Sequence, residues 1–262
     1  MEIIIKKPKI TGNSASVGVP KSWMNMNVKV ELIQNDPSLI LRDVLDILEE
    51  NNILLENIIG IYLTGSYARK EETIDSDIDM LILTKNIKNR LKKGKYDILL
   101  IDRDEAIISM KKDIFPLLPM TIESKALLNK PAIDELKQIK ITKKNIRWYI
   151  KTTYHAIRMN EAKIERDKLL GENKIGVDVA YSLVLRYRTL YLIDCLIKNK
   201  NWSSYDLKEK LLKISGSLKI YEGYLHKKND LKKDYKTPIN DAEKLLNYIE
   251  KENKRIDKLK IK

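Results

Sequence analysis

The stretch NIIGIYLTGSYARKEETIDSDIDMLIL, residues 57–83, decides the fold prediction for this chain. It holds two apolar runs of strand length, and the polar link between them begins at Thr64-Gly65-Ser66 and ends at Asp77 and Asp79. Side chains at positions i and i+2 of a strand lie on one face, so the two carboxylates are expected to point together. Two carboxylates on one face suit a hard divalent cation, which prefers oxygen ligands.

The strand predicted at Asp77–Leu83 is apolar after its first three residues. Such a run is typical of a central strand that is covered on both faces. An acidic triplet of this kind in isolation is more often a solvated loop. Its position between two apolar runs, shortly after a glycine-serine turn, favours a chemical site instead.

The pair Gly65-Ser66 has a chemical role of its own in this prediction. Glycine adopts backbone conformations that other residues avoid, and it lets a ligand approach the main chain closely. Backbone N–H groups exposed in such a turn bind phosphate, and the Ser66 hydroxyl adds a donor. Next to two carboxylates, the turn predicts binding of a nucleoside triphosphate.

The order GSYAR at 65–69 followed by SDID at 76–79 resembles the signature of the DNA polymerase beta-like nucleotidyltransferases. The similarity is greatest to their minimal branch and covers residues 39–125. It implies that the turn binds the phosphates of ATP, the donor, through Gly65, Ser66, Arg69 and Lys70. It also implies that two Mg2+ ions are held by three catalytic carboxylates: Asp77, Asp79 and a third on a neighbouring strand.

Two aspartates compete for the third position. The strand predicted at Tyr96–Ile101 is similar to the family strand that carries it, and by that match the third carboxylate is Asp97. Asp102 is the competitor, but it has the opposite strand parity. Lys70 departs from the family, which often has glycine after the arginine, although a lysine there would help to neutralise a triphosphate. Glu123 is either a base on the acceptor side or an ordinary surface acid.

The resemblance implies transfer of a nucleoside monophosphate, AMP from ATP, to an acceptor hydroxyl. A protein hydroxyl is the first choice of acceptor, as in antitoxin-type adenylyltransferases, which adenylylate a partner toxin. RNA or a small molecule is an alternative acceptor. The competing class is a DNA-binding transcriptional regulator that senses the nucleotide without turnover.

The first 34 residues are predicted to form a separate β module. Its short β runs are Ile3–Ile5, Ala15–Val19 and Val28–Ile33. The pattern ITGNSASVGVPKSW resembles the swapped-hairpin units of AbrB and MazE type. That resemblance implies a homodimer and DNA contacts through a set of lysines: Lys6, Lys7, Lys9 and Lys21. The alternative is a β cap with exposed lysines.

The predicted fold class is α+β, with an α/β nucleotidyltransferase catalytic domain at 38–133 and a helical bundle at 134–262. In the catalytic domain we expect two helices, at Ser38–Asn51 and, short and basic, at Ile87–Lys93. We expect four strands, at Ile58–Leu63, Asp77–Leu83, Tyr96–Ile101 and Leu117–Ile122. Helical periodicity predicts the main helices of the bundle: Thr142–Leu170, Asp178–Lys198, Tyr205–Ile214 and Asn240–Lys258.

Arg186 lies in an otherwise apolar row of the second of these helices. A guanidinium in such a row requires a carboxylate or a phosphate. Three interpretations stay open: it reaches a nucleotide phosphate or a site aspartate, it pairs with a structural acid, or it extends to solvent.

Composition excludes several classes of protein. The net charge of +13 favours polyanionic partners. A single cysteine, Cys195, permits neither an internal disulfide nor a cysteine-rich zinc site. No apolar run is long enough for a membrane span, and the first residues lack a signal-peptide pattern, so we expect a cytoplasmic protein. Abundant lysine, isoleucine and glutamate with little glutamine favours a thermophile, or an AT-rich genome.

Overall fold

The structure, a computed structural model, describes residues 4, 6, 8–30, 36–73, 76–198, 200, 202–231 and 235–259. The chain divides into two compact units, Met1–Gln34 and Asn35–Lys262. Among the described residues, no helix is long and apolar enough to cross a membrane.

The first unit contains one small hairpin. Strands β1, Lys9–Thr11, and β2, Ser14–Ser16, pair antiparallel around a turn in which Gly12 has a φ of 60°. The strand predicted at Ala15–Val19 is therefore shorter and begins one residue earlier. The strand predicted at Val28–Ile33 is absent from residues 28–30, and its remainder lies outside the described residues, as do Ile3 and Ile5.

The second unit is built on a five-stranded sheet. In the described part of the chain its strands follow the order β5-β6-β4-β3-β7, and only β4 and β6 pair in parallel. Their bounds are β3 Ile58–Leu63, β4 Ile78–Thr84, β5 Asn89–Lys93, β6 Tyr96–Asp102 and β7 Lys125–Leu128.

Strand β4 is central, as its apolar sequence predicts. Each of its residues is buried except Asp79, which is partly buried. A parallel pair is buried on both faces, so a run of Met, Leu and Ile fits there. Placing a carboxylate in this strand costs free energy, because the charged group loses its hydration. This cost is the first structural sign that Asp79 has a chemical role.

Two predicted elements are wrong in type. Residues Ile87–Lys93 were expected to form a basic helix, but Asn89–Lys93 is the edge strand β5. Gly94, with a φ of 56°, closes a tight hairpin to β6, and this turn overrides a weak helical preference. Leu117–Ile122, expected as a strand, lies mainly in helix α4, Leu118–Glu123, and the strand comes next as β7.

Ten α-helices occur in the described residues. Five of them lie outside the bundle. Besides α4, these are α1 Pro37–Glu50, α2 Gly65–Arg69, α3 Arg103–Lys112 and α5 Lys130–Lys137. Helix α1 begins earlier than the predicted Ser38 because the Asp36 carboxylate accepts a hydrogen bond of 2.9 Å from the Ser38 amide and caps the helix.

The remaining five helices form the bundle: α6 Lys143–Leu169, α7 Val177–Ile197, α8 Ser204–Ser215, α9 Lys219–Lys228 and α10 Ile239–Lys258. Four of them agree with the sequence prediction within about two residues, a usual boundary uncertainty, and α9 was missed. A two-stranded antiparallel sheet pairs β8, Lys174–Gly176, with β9, Lys236–Pro238, and these strands directly precede α7 and α10. One hydrophobic core runs from the sheet into the bundle, and the predicted α+β class is confirmed. The domain boundary between the catalytic domain and the bundle, placed between residues 133 and 134, stays a prediction.

Candidate functional site

The tightest contact of the site joins Gly65 to Asp79. The Thr64 amide and hydroxyl both donate to the Asp79 carbonyl, at 2.8 and 3.1 Å, which fixes the turn against the start of β4. Gly65 has a φ of 68°, and a Cβ atom there would lie 2.1 Å from Asp79 Oδ2. Only glycine fits this position, because both the backbone angle and the space exclude a side chain.

The structure brings the three predicted carboxylates to one region. Asp79 and Asp97 are register partners on the parallel strands β4 and β6, so their side chains share a face of the sheet. Asp77 is exposed and precedes β4 directly, and its charge acts on Asp79. Ile78 is buried on the opposite face, as the alternation predicts.

Asp79 is held in an environment that disfavours its charge. Burial and the negative charges of Asp97, Asp77 and Glu123, in that order, raise the pKa of the Asp79 carboxyl to about 6. A cluster of carboxylates that raises the pKa of one member is the electrostatic condition that a cation relieves.

Asp97 differs from Asp79 because basic side chains neutralise it. Arg90 on edge strand β5 donates to both carboxylate oxygens at 2.7 Å, and the Lys92 ammonium lies 3.2 Å from one of them. The Arg90 hydrogen bonds, followed by those of Lys92, lower the pKa of Asp97 against the opposing effect of burial. The side chains of Arg90 and Lys92 are 63% and 70% exposed. Because both basic side chains are largely exposed, solvent screens these ion pairs, and a divalent cation competes with them for the Asp97 carboxylate, whose side chain is 13% exposed.

Asp102, the competitor for the third position, has a structural role. Its Oδ1 accepts from the amides of Asp104 and Glu105, and these bonds cap helix α3. Its Oδ2 accepts from the Asn86 amide at 2.8 Å. The backbone hydrogen bonds account for the lowered pKa of Asp102, and the carboxylate has the function of a helix cap.

Glu123 is not an ordinary surface acid, which was one of the two roles that the sequence left open. Its side chain is 6% exposed, and it accepts a hydrogen bond of 2.7 Å from the Gly65 amide. Its other oxygen pairs with Arg69. A buried carboxylate needs such partners to offset its lost hydration. Glu123 therefore holds the glycine-serine turn and the start of α2 in place.

Arg69 connects this turn to the helical bundle. Its Nε donates to Glu71 at 2.9 Å, and its guanidinium stacks on the Trp202 ring at 4.3 Å from the ring centre. The Ser204 amide, at the start of α8, donates in turn to Glu71 at 3.1 Å. The sequence did not reveal the contacts of Trp202 and Ser204 with Arg69 and Glu71, since no local spacing relates residues so far apart in the chain.

Ser66 and Lys70 complete the predicted phosphate-binding set. Ser66 lies in the first turn of α2, and Lys70 caps the end of that helix in the left-handed conformation with a φ of 60°. Lys70 thus adopts the backbone angle that a glycine after the arginine would favour. The departure from the family residue leaves the path of the turn intact and adds a positive charge.

No group of three or more His, Cys, Asp or Glu side chains is arranged as a ready metal site in the part of the chain that the structure describes. The donor set nevertheless suits a hard divalent cation. The Asp79 carboxylate is destabilised by its acidic neighbours, and the exposed Asp77 precedes it by two residues. The assignment of Asp77, Asp79 and Asp97 as metal ligands stays a prediction.

Residues 41–155 match the family of the nucleotidyltransferase domain. This match confirms the resemblance to the polymerase beta-like nucleotidyltransferases at the level of the superfamily. No curated protein sequence matches the chain. A nucleotidyltransferase-like protein from Exiguobacterium sibiricum 255-15 has a similar crystal structure, with a TM-score of 0.36 and 11% identity over 82% of this chain and 75% of that chain. A TM-score this low supports no argument about fold or activity.

Gly65→Ala is expected to lower the free energy of unfolding by about 1–3 kcal/mol more than Gly94→Ala does. Both glycines have positive φ, at 68° and 56°, but only the Cβ at 65 meets Asp79, whereas the Cβ at 94 meets nothing within 4 Å. Urea unfolding of both variants measures the difference. Equal losses of the free energy of unfolding in the two variants would show that Asp79 leaves room for a Cβ atom at position 65.

Asp79→Asn is expected to stabilise the metal-free protein at about pH 8 by on the order of 2 kcal/mol. The pKa of Asp79 in the folded protein lies above the ordinary value of 3.8. The carboxyl group therefore adds most to the free energy of unfolding below pH 3.8, and this contribution is lost as the pH rises through about 6. The stabilisation should therefore fade towards about pH 4, as urea unfolding across this range would measure.

Asp102→Asn is the matched control for this pH effect. The pKa of Asp102 in the folded protein is lowered, so its substitution changes the free energy of unfolding in the opposite direction. The control variant should be less stable than the wild type at neutral pH, with a difference that narrows in acid. If Asp79→Asn also loses stability at neutral pH, the Asp79 carboxylate is not under the repulsion described above.

Proposed function

This chain carries a nucleotidyltransferase domain, whose reaction is nucleotidyl transfer, and we propose that it moves AMP from ATP to an acceptor hydroxyl with a divalent cation. In this reaction a bond forms between the acceptor oxygen and the α-phosphorus, and the bond from that phosphorus to the pyrophosphate oxygen breaks. The hydroxyl proton leaves to a base or to solvent. The minimal branch of the superfamily is the branch that the motif supports.

The observation that carries this proposal is the position of Asp79. Its carboxylate lies against Gly65 so closely that no side chain fits between them, and burial together with three acidic neighbours raises its pKa to about 6. A protein keeps a destabilised carboxylate in a central strand where a cationic ligand compensates for it. The glycine turn beside it supplies the approach for phosphate.

The residues of the turn have separate tasks in the proposal. Ser66 and Lys70 are the donors to the phosphates, and Lys70 brings a permanent positive charge. The Gly65 amide and Arg69 are engaged by Glu123 in this structure. They hold the turn in its shape, and they become phosphate ligands only where the anionic triphosphate replaces the Glu123 carboxylate as their partner.

The carboxylates Asp77 and Asp79 would hold the divalent cation, with Asp97 as the third. When bound, such a cation neutralises phosphate charge and orients the α-phosphate. Arg90 and Lys92 compete with it for Asp97, and their largely exposed side chains have room to turn towards solvent when the cation binds.

The acceptor is proposed to bind on the side of the helical bundle, because the bundle contacts the turn directly through Arg69. The indole Nε1 of Trp202 is buried and has no hydrogen-bond partner in the described structure. Arg188 lies 5.9 Å from the centre of the same ring. A buried donor without an acceptor is uncommon, and an ordered water or a ligand group would supply the partner. A protein hydroxyl is the proposed acceptor, on the strength of the motif resemblance.

The activity is tested with α-labelled ATP, Mg2+ and an extract of cells that express the chain. The wild type is expected to transfer label to a protein band, whereas Asp79→Asn reduces transfer by about a hundredfold or more because a metal-binding carboxylate is lost. Label on RNA or on a small molecule would assign the alternative acceptors. No transfer, together with specific retention of DNA, would instead support the nucleotide-sensing regulator.

Asp97→Asn and Asp102→Asn form a matched pair in the same assay. Both remove one carboxylate from strand β6, but only Asp97 is the register partner of Asp79. Transfer should fall with Asp97→Asn and persist with Asp102→Asn. The reverse result would assign the third carboxylate to Asp102.

The first unit is proposed to form a homodimer. No residue in its described part is buried, and its exposed apolar side chains include Ile10, Met24, Met26 and Val30. A unit this small does not bury enough apolar surface to be stable alone, so a second copy is its natural partner. Exposed Lys6, Lys9 and Lys21 suit DNA phosphates in such a dimer. The fourth predicted contact, Lys7, lies outside the described residues.

Light scattering of the full chain tests this proposal. The wild type is expected to be a dimer, and Ile10→Asp is expected to shift it to the monomer because a charge would be buried in the apolar contact. Ile108→Asp is the matched control, since Ile108 is also exposed but belongs to helix α3. A monomeric wild type would contradict the proposal, as would an unchanged dimer in Ile10→Asp.

A further inference from the structure

A groove of about 370 Å³ lies between helices α6 and α7 of the bundle. We call it the α6–α7 groove and define it by six polar side chains on its walls: Thr152, His155, Asn160, Lys163, Ser182 and Arg186. No residue of the candidate catalytic site lines it. The volume is within the range of about 300–1,000 Å³ that is usual for small-molecule sites.

Arg186 is the central charge of the groove. It is partly buried, and its guanidinium donates to the Thr152 hydroxyl at 3.0 Å and lies 5.6 Å from the centre of the Tyr149 ring. No described Asp or Glu forms an ion pair with it, so the structural acid considered for it in the sequence is absent from the described residues. A guanidinium withdrawn from water without an anionic partner is costly, and the cost is recovered when an anion binds.

A lysine and a histidine lie on the same wall. His155 and Lys163 are two helical turns apart on α6, so they share one face of the helix. Neither has an ion-pair partner among the described residues. The acid on the groove wall is Asp178, and its carboxylate is paired with Lys227 at 3.1 Å. The charge that remains for a ligand is positive.

Neutral donors and an apolar strip complete the surface. The Asn160 amide donates to the Ser182 hydroxyl at 2.8 Å, which holds both side chains at the groove. The Thr152 hydroxyl donates to the Tyr149 carbonyl at 3.1 Å, so the Ser182 hydroxyl is the donor that faces an oxyanion. Ala156 and Met159, also on the wall, offer apolar contact to an organic group.

We propose that the α6–α7 groove binds a small organic phosphate. Arg186 takes two phosphate oxygens through its planar fork, and Lys163 neutralises the remaining charge. The Ser182 hydroxyl orients the phosphate, and the organic part lies along Ala156 and Met159. This binding does not depend on nucleotidyl transfer, because the groove shares no residue with the candidate catalytic site.

Nuclear magnetic resonance of the two histidines tests the proposal on the full chain. His155 lines the groove, whereas His226 stacks on Tyr235 at 5.1 Å outside it and serves as an internal reference. Inorganic phosphate, pyrophosphate and AMP are titrated separately at constant pH, with a chelator present to remove divalent cations. AMP is expected to shift the His155 resonance saturably and to leave that of His226 in place.

The variants assign the effect to the groove. Arg186→Gln should weaken AMP binding by about 10- to 100-fold, as expected for loss of a charged hydrogen-bonded contact. Lys163→Gln, at an exposed position where folding is not at risk, should weaken it by a smaller factor. Arg147→Gln removes the same charge from α6 at an exposed position outside the groove, and binding should be retained.

Three results would overturn the proposal. In the first, none of the three probes shifts His155. In the second, AMP shifts it equally in the wild type, Arg186→Gln and Lys163→Gln. In the third, AMP binds no more tightly than inorganic phosphate, which would exclude a site for the organic part.

Discussion

The close approach of Gly65 to Asp79 is the constraint on which the rest of the site depends. It sets the distance between a turn able to bind phosphate and a carboxylate able to bind a cation. The hydrogen bonds from Thr64 to the Asp79 carbonyl fix that distance, because they attach the turn to strand β4 of the sheet. A site built on strands rather than on a mobile loop holds its groups more accurately, at the cost of burying charge in a central strand.

A second set of contacts connects the turn to the bundle. Glu123 binds both the Gly65 amide and Arg69, and Arg69 stacks on Trp202 between α7 and α8. The two parts share one hydrophobic core, so the bundle supports the turn and lines its surroundings. This arrangement explains why the chain needs helices beyond the residues that match the nucleotidyltransferase family.

The sequence predicted the elements whose signal is local. The apolar runs predicted β3 and β4, and parity predicted Asp77 and Asp79 on one face with Ile78 opposite. The motif indicated Asp97, which the structure shows to be the register partner of Asp79. Elements decided by turns and distant partners were missed: Gly94 makes β5 a strand, and the helix at α4 has no clear amphipathic pattern. Glu123 and Trp202 depend on contacts between distant segments, which a single sequence does not encode in any spacing. The Arg90–Asp97 pair forms because residues 89–93 are a strand of the β5–β6 hairpin and not the predicted helix.

The central claim is that Asp79 is a ligand of a nucleotide-bound divalent cation. Electron paramagnetic resonance with Mn2+ measures it directly, by counting the ions bound to the full chain in the presence of a non-hydrolysable ATP analogue. The account predicts bound Mn2+ that depends on the analogue and is lost in Asp79→Asn. Mn2+ binding that is absent in the wild type, or unchanged in Asp79→Asn, would contradict it.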